Sequence, residues 1–198
     1  MMVRSGPGRR IGVFGGTFDP PHIGHLVAAI DARRVLDLDV VLLVVANSPW
    51  QKVGARPISN AADRLAMVEA AVTDADGLEA SDVEIRRGGP SYTADTLGTL
   101  RAEEPDAELF VILGNDAAGG FATWDRHEEV AELAHLVVVD RPGTPTLLDD
   151  GGSWTRIDIP ELEISSTELR QRLVDGHSID YLTPQAVVTR ISQRGLYL

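Results

Sequence analysis

The sequence predicts an α/β fold, a parallel sheet flanked by helices with a small helical portion at the C-terminal end. Short apolar runs alternate with segments whose apolar residues recur at the helical period, the signature of strand–helix repeats. The run VVLLVVA, residues 40–46, is apolar at every position, as a strand covered on both faces requires. Polar, glycine-containing segments follow several of these runs. In an open parallel sheet, ligands bind beyond the C-terminal ends of the strands, so chemistry is expected after Gly16, after Ala46, after Leu113 and before the Ser166 helix.

The elements follow in order. Residues 11–16 read as a buried strand and 22–36 as a helix. The strand 40–46 leads to a helix over 59–73, with Ser59 or Asn60 as N-cap and Leu65, Val68 and Val72 on one face. Residues 78–85 are expected as a third strand, and 93–104 as a helix stopped by Pro105. Residues 109–113 and 136–140 supply two more strands, with helical residues at 126–134 between them. A Gly/Pro/Asp-rich loop over 141–153 precedes a short strand at 154–159. A helix begins near Ser166 and ends before Gly176. For the last helix Thr183 is expected as N-cap, Pro184 at the first position and Gly195 just past the end.

The length of 198 residues fits one domain, taken as 11–198, behind a Gly/Pro/Arg-rich tail over 1–10 expected to be disordered. With 43% apolar and 24% charged residues the chain can bury a core without disulfides. It contains no cysteine, which removes thiol nucleophiles, cysteine-ligated metals and redox motifs, and fits a reducing cytoplasm. A net charge of −12 opposes binding to a phosphate backbone, so no nucleic-acid partner is expected. A phosphate site must then be local, built from a few basic groups and main-chain amides. No apolar run approaches the roughly 20 residues needed to cross a bilayer, so no membrane partner is expected. A homo-oligomer is left open.

After the first strand the chain reads Gly15-Gly16-Thr17-Phe18-Asp19-Pro20-Pro21-His22-Ile23-Gly24-His25. Paired glycines allow a sharp turn that exposes amides. His22 and His25, three apart, share a helix face in the first turn, where free N–H groups and the positive dipole end favour anions. Gly24 between them would let a phosphate approach closely. Zinc needs a third ligand, and none lies nearby in sequence. Further along, Ile164-Ser165-Ser166-Thr167-Glu168-Leu169-Arg170 sets hydroxyls and amides at a helix start, with Arg170 one turn in. Of 18 basic side chains one is a lysine, Lys52, in the segment Asn47 to Lys52 after the second strand. A position that stays Lys where others are Arg is expected to need a compact, mobile ammonium. Trp124 offers a flat face on which an aromatic ring can stack, or alternatively a core filler.

Together these segments resemble the adenylyl/cytidylyltransferase superfamily, whose signature G-G-T-F-D-P-P-H-x-G-H matches 15–25, and specifically the nicotinate mononucleotide adenylyltransferases, whose I-S-S-T-x-x-R motif matches 164–170. The resemblance runs in matching order over about 11–195, with Y-T-x-D-T at 92–96 and G-x-D…W at 114–124. It departs at Trp50 and Gln51, where relatives carry Pro-Pro-His-Lys.

The resemblance implies a Rossmann-like fold and transfer of AMP from ATP to nicotinate mononucleotide, giving deamido-NAD and pyrophosphate, a step of pyridine nucleotide (NAD) biosynthesis. It implies that Gly15, Gly16, Thr17, Phe18, His22, His25, Gly114, Asp116, Ser166, Thr167 and Arg170 face ATP. Asn47, Tyr92, Thr93 and Trp124 would face the acceptor. Thr17, His22, His25 and Lys52 would carry the chemistry. Mg²⁺ would arrive on the ATP phosphates, with no metal site on the protein. Asp95 and Thr96 are expected to brace the helix. Phosphopantetheine adenylyltransferase, or a nucleotide-binding regulator without turnover, are the competing readings.

Overall fold

The computed structural model describes residues 8–49, 58–140 and 153–197. Lys52 and its neighbours Trp50 and Gln51, most of the loop expected over 141–153 and most of the expected tail lie outside the described residues.

Six strands form one parallel sheet in the order β3-β2-β1-β4-β5-β6. The chain runs β1 (Arg10–Gly16), α1 (Ile23–Val35), β2 (Val40–Val45), α2 (Ala61–Val72), β3 (Leu78–Ser81), α3 (Val83–Arg87) and α4 (Thr93–Glu103). It continues through β4 (Glu108–Gly114), α5 (Asn115–Gly119), a 3-10 turn (Phe121–Thr123), α6 (His127–Leu133), β5 (His135–Asp140), β6 (Trp154–Asp158), α7 (Ser166–Val174) and α8 (Gln185–Arg194). From β1 the chain steps outward to β3, then returns to the other side of β1 with β4. The switch in strand order therefore falls between β1 and β4.

The strand pattern sets two apolar layers, because successive side chains point to opposite faces. Phe14, Leu43, Phe110, Ile112 and Val137 pack with α1, α2, α7 and α8 on one face. Val13, Val44, Leu109, Val111 and Val138 pack with α4, α5 and α6 on the other. β2 is buried nearly throughout, matching its unbroken apolar run.

The register opens the functional crevice. β1 pairs with β2 as far as Gly16↔Val45, but with β4 only as far as Val13↔Val111. Beyond Val13 the two central strands part, and their C-terminal ends leave a cleft.

Three local expectations change, at 78–85, Pro184 and Thr183, and the α2 cap falls to Asn60, one of the two residues expected. Residues 78–85 are not one strand: β3 stops at Ser81 and α3 follows. Asp82-Val83-Glu84-Ile85 alternates like a strand, but Arg86 Nε bonds Asp82 Oδ1 at 2.9 Å, one helical turn back. In α2 the cap is Asn60, which accepts from Asp63 N at 2.8 Å, and the buried stripe is Arg64, Met67, Val68, Ala71 and Val72, with Leu65 half-buried. In α8 Pro184 is the N-cap residue and Gln185 the first helical one. Thr183 does not cap: its hydroxyl donates to Pro21 O at 2.8 Å, across the molecule. The short α5 and the 3-10 turn lack the periodicity by which a helix is read from sequence.

Candidate active site

The segment from Gly15 to His25 leaves β1 as a tight loop and re-enters helix at α1. Phe18 takes a positive φ of 50° and folds its ring back over Gly16, where an added Cβ would sit 2.7 Å from the ring. Its side chain is 2% exposed and meets the His25 ring edge-on, with centroids 5.0 Å apart. Phe18 as a whole is thus nearly closed to a ligand, and its ring instead props His25. Gly24 also serves the protein itself, since a Cβ there would lie 3.1 Å from the His22 imidazole. The small residue makes room for that ring, where the sequence alone suggested room for a phosphate.

His22 is the N-cap residue of α1, in extended conformation, and its ring lies 3.7 Å from that of His25, centroid to centroid. The His22 main-chain N–H donates to His25 Nδ1 at 3.1 Å. An imidazole nitrogen that accepts carries no proton, so His25 holds its proton on Nε2, as a donor. The two histidines stand together at the helix start, as their spacing implied.

The second motif closes on the first. Ser165 caps α7 by accepting from Glu168 N at 3.1 Å. Ser166 Oγ donates to Pro20 O at 2.8 Å, and Arg170 Nη1 donates to Asp19 O at 2.7 Å. Arg170 Nη2 reaches Thr167 Oγ1 at 3.0 Å. Leu182 O accepts from Ile23 N at 3.0 Å, adding a third clamp on the same loop. Segments distant in sequence thus bring the His22 and His25 imidazoles, the Ser166 and Thr167 hydroxyls and the Arg170 guanidinium to one loop.

Beside it lies a cavity at the β1/β4 parting, walled by Gly15, Thr17, Gly114, Tyr92, Thr93 and Trp124. Trp124 is half-buried, its ring 5.7 Å from that of Phe121 centroid to centroid, and the residue borders the cavity. Asn47 and Asp116 do not line it. Asn47 Nδ2 donates to Gly89 O at 2.8 Å, and Ser48 and Ser91 exchange two further bonds, so this segment fixes the turn that carries Tyr92 and Thr93. Asp116 is exposed on α5 at the rim.

Asp95 and Thr96 brace α4 as expected. Asp95 pairs with Arg126 at 2.6 Å, and Arg126 also bonds Asp125 and lies over the Tyr92 ring. These carboxylates, Asp125 first, push the guanidinium pKa further up. Thr96 Oγ1 donates to the buried Glu84 at 2.7 Å and accepts from Arg87 at 3.2 Å. Glu84 and Thr96 both border the cavity.

Three groups escaped the sequence reading. Glu84 sits on the helix read as strand. Arg64 is 1% exposed and ties three loops together. Tyr197 reaches back to Asp19 at 2.6 Å. The position of Arg64 in the apolar stripe of α2 was a usable signal; the Tyr197 contact had none, because nothing local marks it.

Comparison with known proteins agrees with this geometry. The cytidylyltransferase-like family model matches residues 13–172. A protein of Frankia alni named "probable nicotinate-nucleotide adenylyltransferase" is 47% identical over 186 residues, covering 92% of this chain and 97% of its own. A Thermus thermophilus protein of the same name is 46% identical over 188 residues, covering 95% and 99%. Among solved structures, Plasmodium falciparum nicotinic acid mononucleotide adenylyltransferase complexed with NaAD superposes with a TM-score of 0.78 over 96% of this chain and 97% of its own. At 19% identity that likeness shows the shared fold. With the family's region spanning both motifs, the chain belongs to the cytidylyltransferase-like family and, within it, to the group of the nicotinate-nucleotide adenylyltransferases.

Proposed function

We propose that this protein transfers AMP from ATP to nicotinate mononucleotide, forming deamido-NAD and pyrophosphate. One observation carries the reading: Ser166 and Arg170 bond the carbonyls of Pro20 and Asp19, in the loop that leads to His22 and His25. Two anion-binding helix starts therefore converge beside a cavity with an aromatic wall. Such a cradle suits a polyphosphate, and the wall suits a pyridine ring.

In this reaction an oxygen of the acceptor phosphate forms a bond to the α-phosphorus of ATP. The bond from that phosphorus to the β-bridging oxygen breaks, and pyrophosphate leaves with the electron pair. The nucleophile is already ionised near neutral pH, so no general base and no covalent intermediate are needed. Catalysis is then a matter of positioning and electrostatics. His25 offers its Nε2–H, and His22 and Thr17 stand beside it, toward the transferring phosphate. Ser166, Thr167 and Arg170 hold the departing pyrophosphate, with Lys52 assigned to it as a further cation. Gly114 and Asp116, where α5 begins, are assigned to the nucleoside end of ATP. Tyr92, Thr93 and Trp124 hold the acceptor, with Asn47 acting through the turn it fixes.

Mg²⁺ would enter on the ATP phosphates and would supply charge neutralisation there, while His22, His25, Ser166 and Thr167 would meet the same phosphates as hydrogen-bond donors. We place the protein in the cytoplasm, in keeping with its lack of cysteine.

The test is pyrophosphate release from ATP and Mg²⁺ with nicotinate mononucleotide, nicotinamide mononucleotide and phosphopantetheine in parallel. Fastest turnover with the first is expected. Turnover with phosphopantetheine alone would overturn the acceptor assignment, and ATP binding without release from any of them would point to a regulator.

A further inference from the structure

Arg64 is the largest fully buried side chain described, and it is a cation. It occupies a core position of α2, one turn before Met67 and Val68, facing the interior. Burying a guanidinium is costly unless its donors are satisfied, and a buried ion often adds less stability than an apolar side chain of similar volume. Its bonding suggests another use. Nε donates to Ser59 O at 2.8 Å, Nη1 to Thr17 O at 3.0 Å and Nη2 to Asn47 O at 3.3 Å.

These carbonyls belong to three different segments. Thr17 opens the loop that carries His22 and His25. Asn47 opens the segment bonded to Gly89 and Ser91, next to Tyr92 and Thr93. Ser59 precedes α2, and its N–H also reaches the Asp19 carboxylate at 3.5 Å. The planar fork of one side chain therefore ties the loop on the ATP side to the loop on the acceptor side.

We propose that Arg64 is a positioning residue for AMP transfer: through the Thr17 and Asn47 carbonyls it sets the distance and alignment between the bound acceptor phosphate and the α-phosphate of ATP. It touches neither substrate. In-line attack depends on that alignment, and a misplacement of about 1 Å costs on the order of 10²-fold in rate. Arg64 is not among the groups assigned to either substrate, so binding should survive a change in the spacing between the Thr17 and Asn47 loops. This inference rests on the AMP-transfer reading.

The test compares wild type, Arg64→Lys and Arg64→Met by thermal midpoint, by KM for each substrate, and by the single-turnover rate per folded molecule. Lysine keeps the charge but cannot bridge three divergent carbonyls. For Arg64→Lys the expected result is a single-turnover rate lower by about 10²-fold, with both KM values within about threefold and the fold retained. Arg64→Met, if it folds, should lose as much. A folded Arg64→Lys with near wild-type turnover would overturn the proposal. So would a loss seen wholly in KM, or one that merely tracks the folded fraction. Wild-type turnover in the same assay tests the underlying reading separately. Should Arg64→Met fail to fold, Arg64→Lys decides alone.

Discussion

Tyr197 donates its phenolic hydrogen to the buried carboxylate of Asp19 at 2.6 Å, joining the C-terminal end of the described chain to the loop that follows β1. Burial first, and the Asp19 carboxylate next, push the phenol pKa well above its ordinary value of 10.0. The folded protein therefore favours the protonated phenol more than the unfolded chain does. The resulting stabilisation is fully present below pH of about 10 and is lost as pH rises above it, where only the unfolded chain releases the proton. Thermal unfolding between pH 8 and 11 should show wild type losing stability steeply above 10 and Tyr197→Phe losing less. At neutral pH Tyr197→Phe should cost about 1.5–3 kcal/mol, the range for a hydrogen bond to a charged group. Equal alkaline slopes for the two proteins would show that the phenol proton is not linked to folding.

Arg170 divides its guanidinium between Asp19 O and Thr167 Oγ1, so it both shapes the loop and presents charge beside it. Arg170→Lys keeps a cation but loses the planar fork. Steady-state kinetics should show kcat/KM for ATP falling by roughly 10²-fold, with acceptor affinity nearly unchanged. An equal weakening toward both substrates would assign Arg170 to the fold of the loop and not to pyrophosphate.

The segments that meet around His22 and His25 were legible because their signals are local. Strand, glycine pair, helix start and histidine spacing lie within 15–25, and Ser166 to Arg170 sit on one helix turn. Their convergence was not legible, since it depends on Ser166 meeting Pro20 across the fold. The helix α3 was misread because Val83 and Ile85 alternate with acidic residues, a two-residue period that also suits a strand. The i,i+4 pair of Asp82 and Arg86 was the contrary signal. Arg64 was overlooked as one of many arginines, although it stands where the stripe of α2 calls for an apolar residue. Asn47 was assigned to the acceptor by resemblance, and the structure places its side chain on a neighbouring carbonyl instead.

Trp124 borders the cavity and packs its ring on Phe121. If it stacks on the acceptor's pyridine, Trp124→Ala should weaken acceptor binding by at least the worth of an aromatic pair, about 0.5–1.5 kcal/mol, or roughly two- to tenfold in KM. Trp124→Phe should recover most of this, and KM for ATP should hold in both. Isothermal titration with nicotinate mononucleotide gives the check, and unchanged acceptor affinity in Trp124→Ala would return this residue to a packing role.

His25 supplies the sharpest test of the electrostatic mechanism. Its Nδ1 accepts from the His22 amide, which sets the tautomer with the proton on Nε2. If that donor acts on charge that develops in the transition state, His25→Ala should lower kcat by roughly 10²–10³-fold while KM for ATP moves far less. The substitution also removes a ring packed against Phe18, so a thermal midpoint must accompany the kinetics. His25→Gln preserves an N–H donor on a side chain of intermediate length, and should retain more activity than alanine at comparable stability. A folded His25→Ala with near wild-type kcat would remove His25 from the chemistry and leave the α-phosphate to His22 and Thr17.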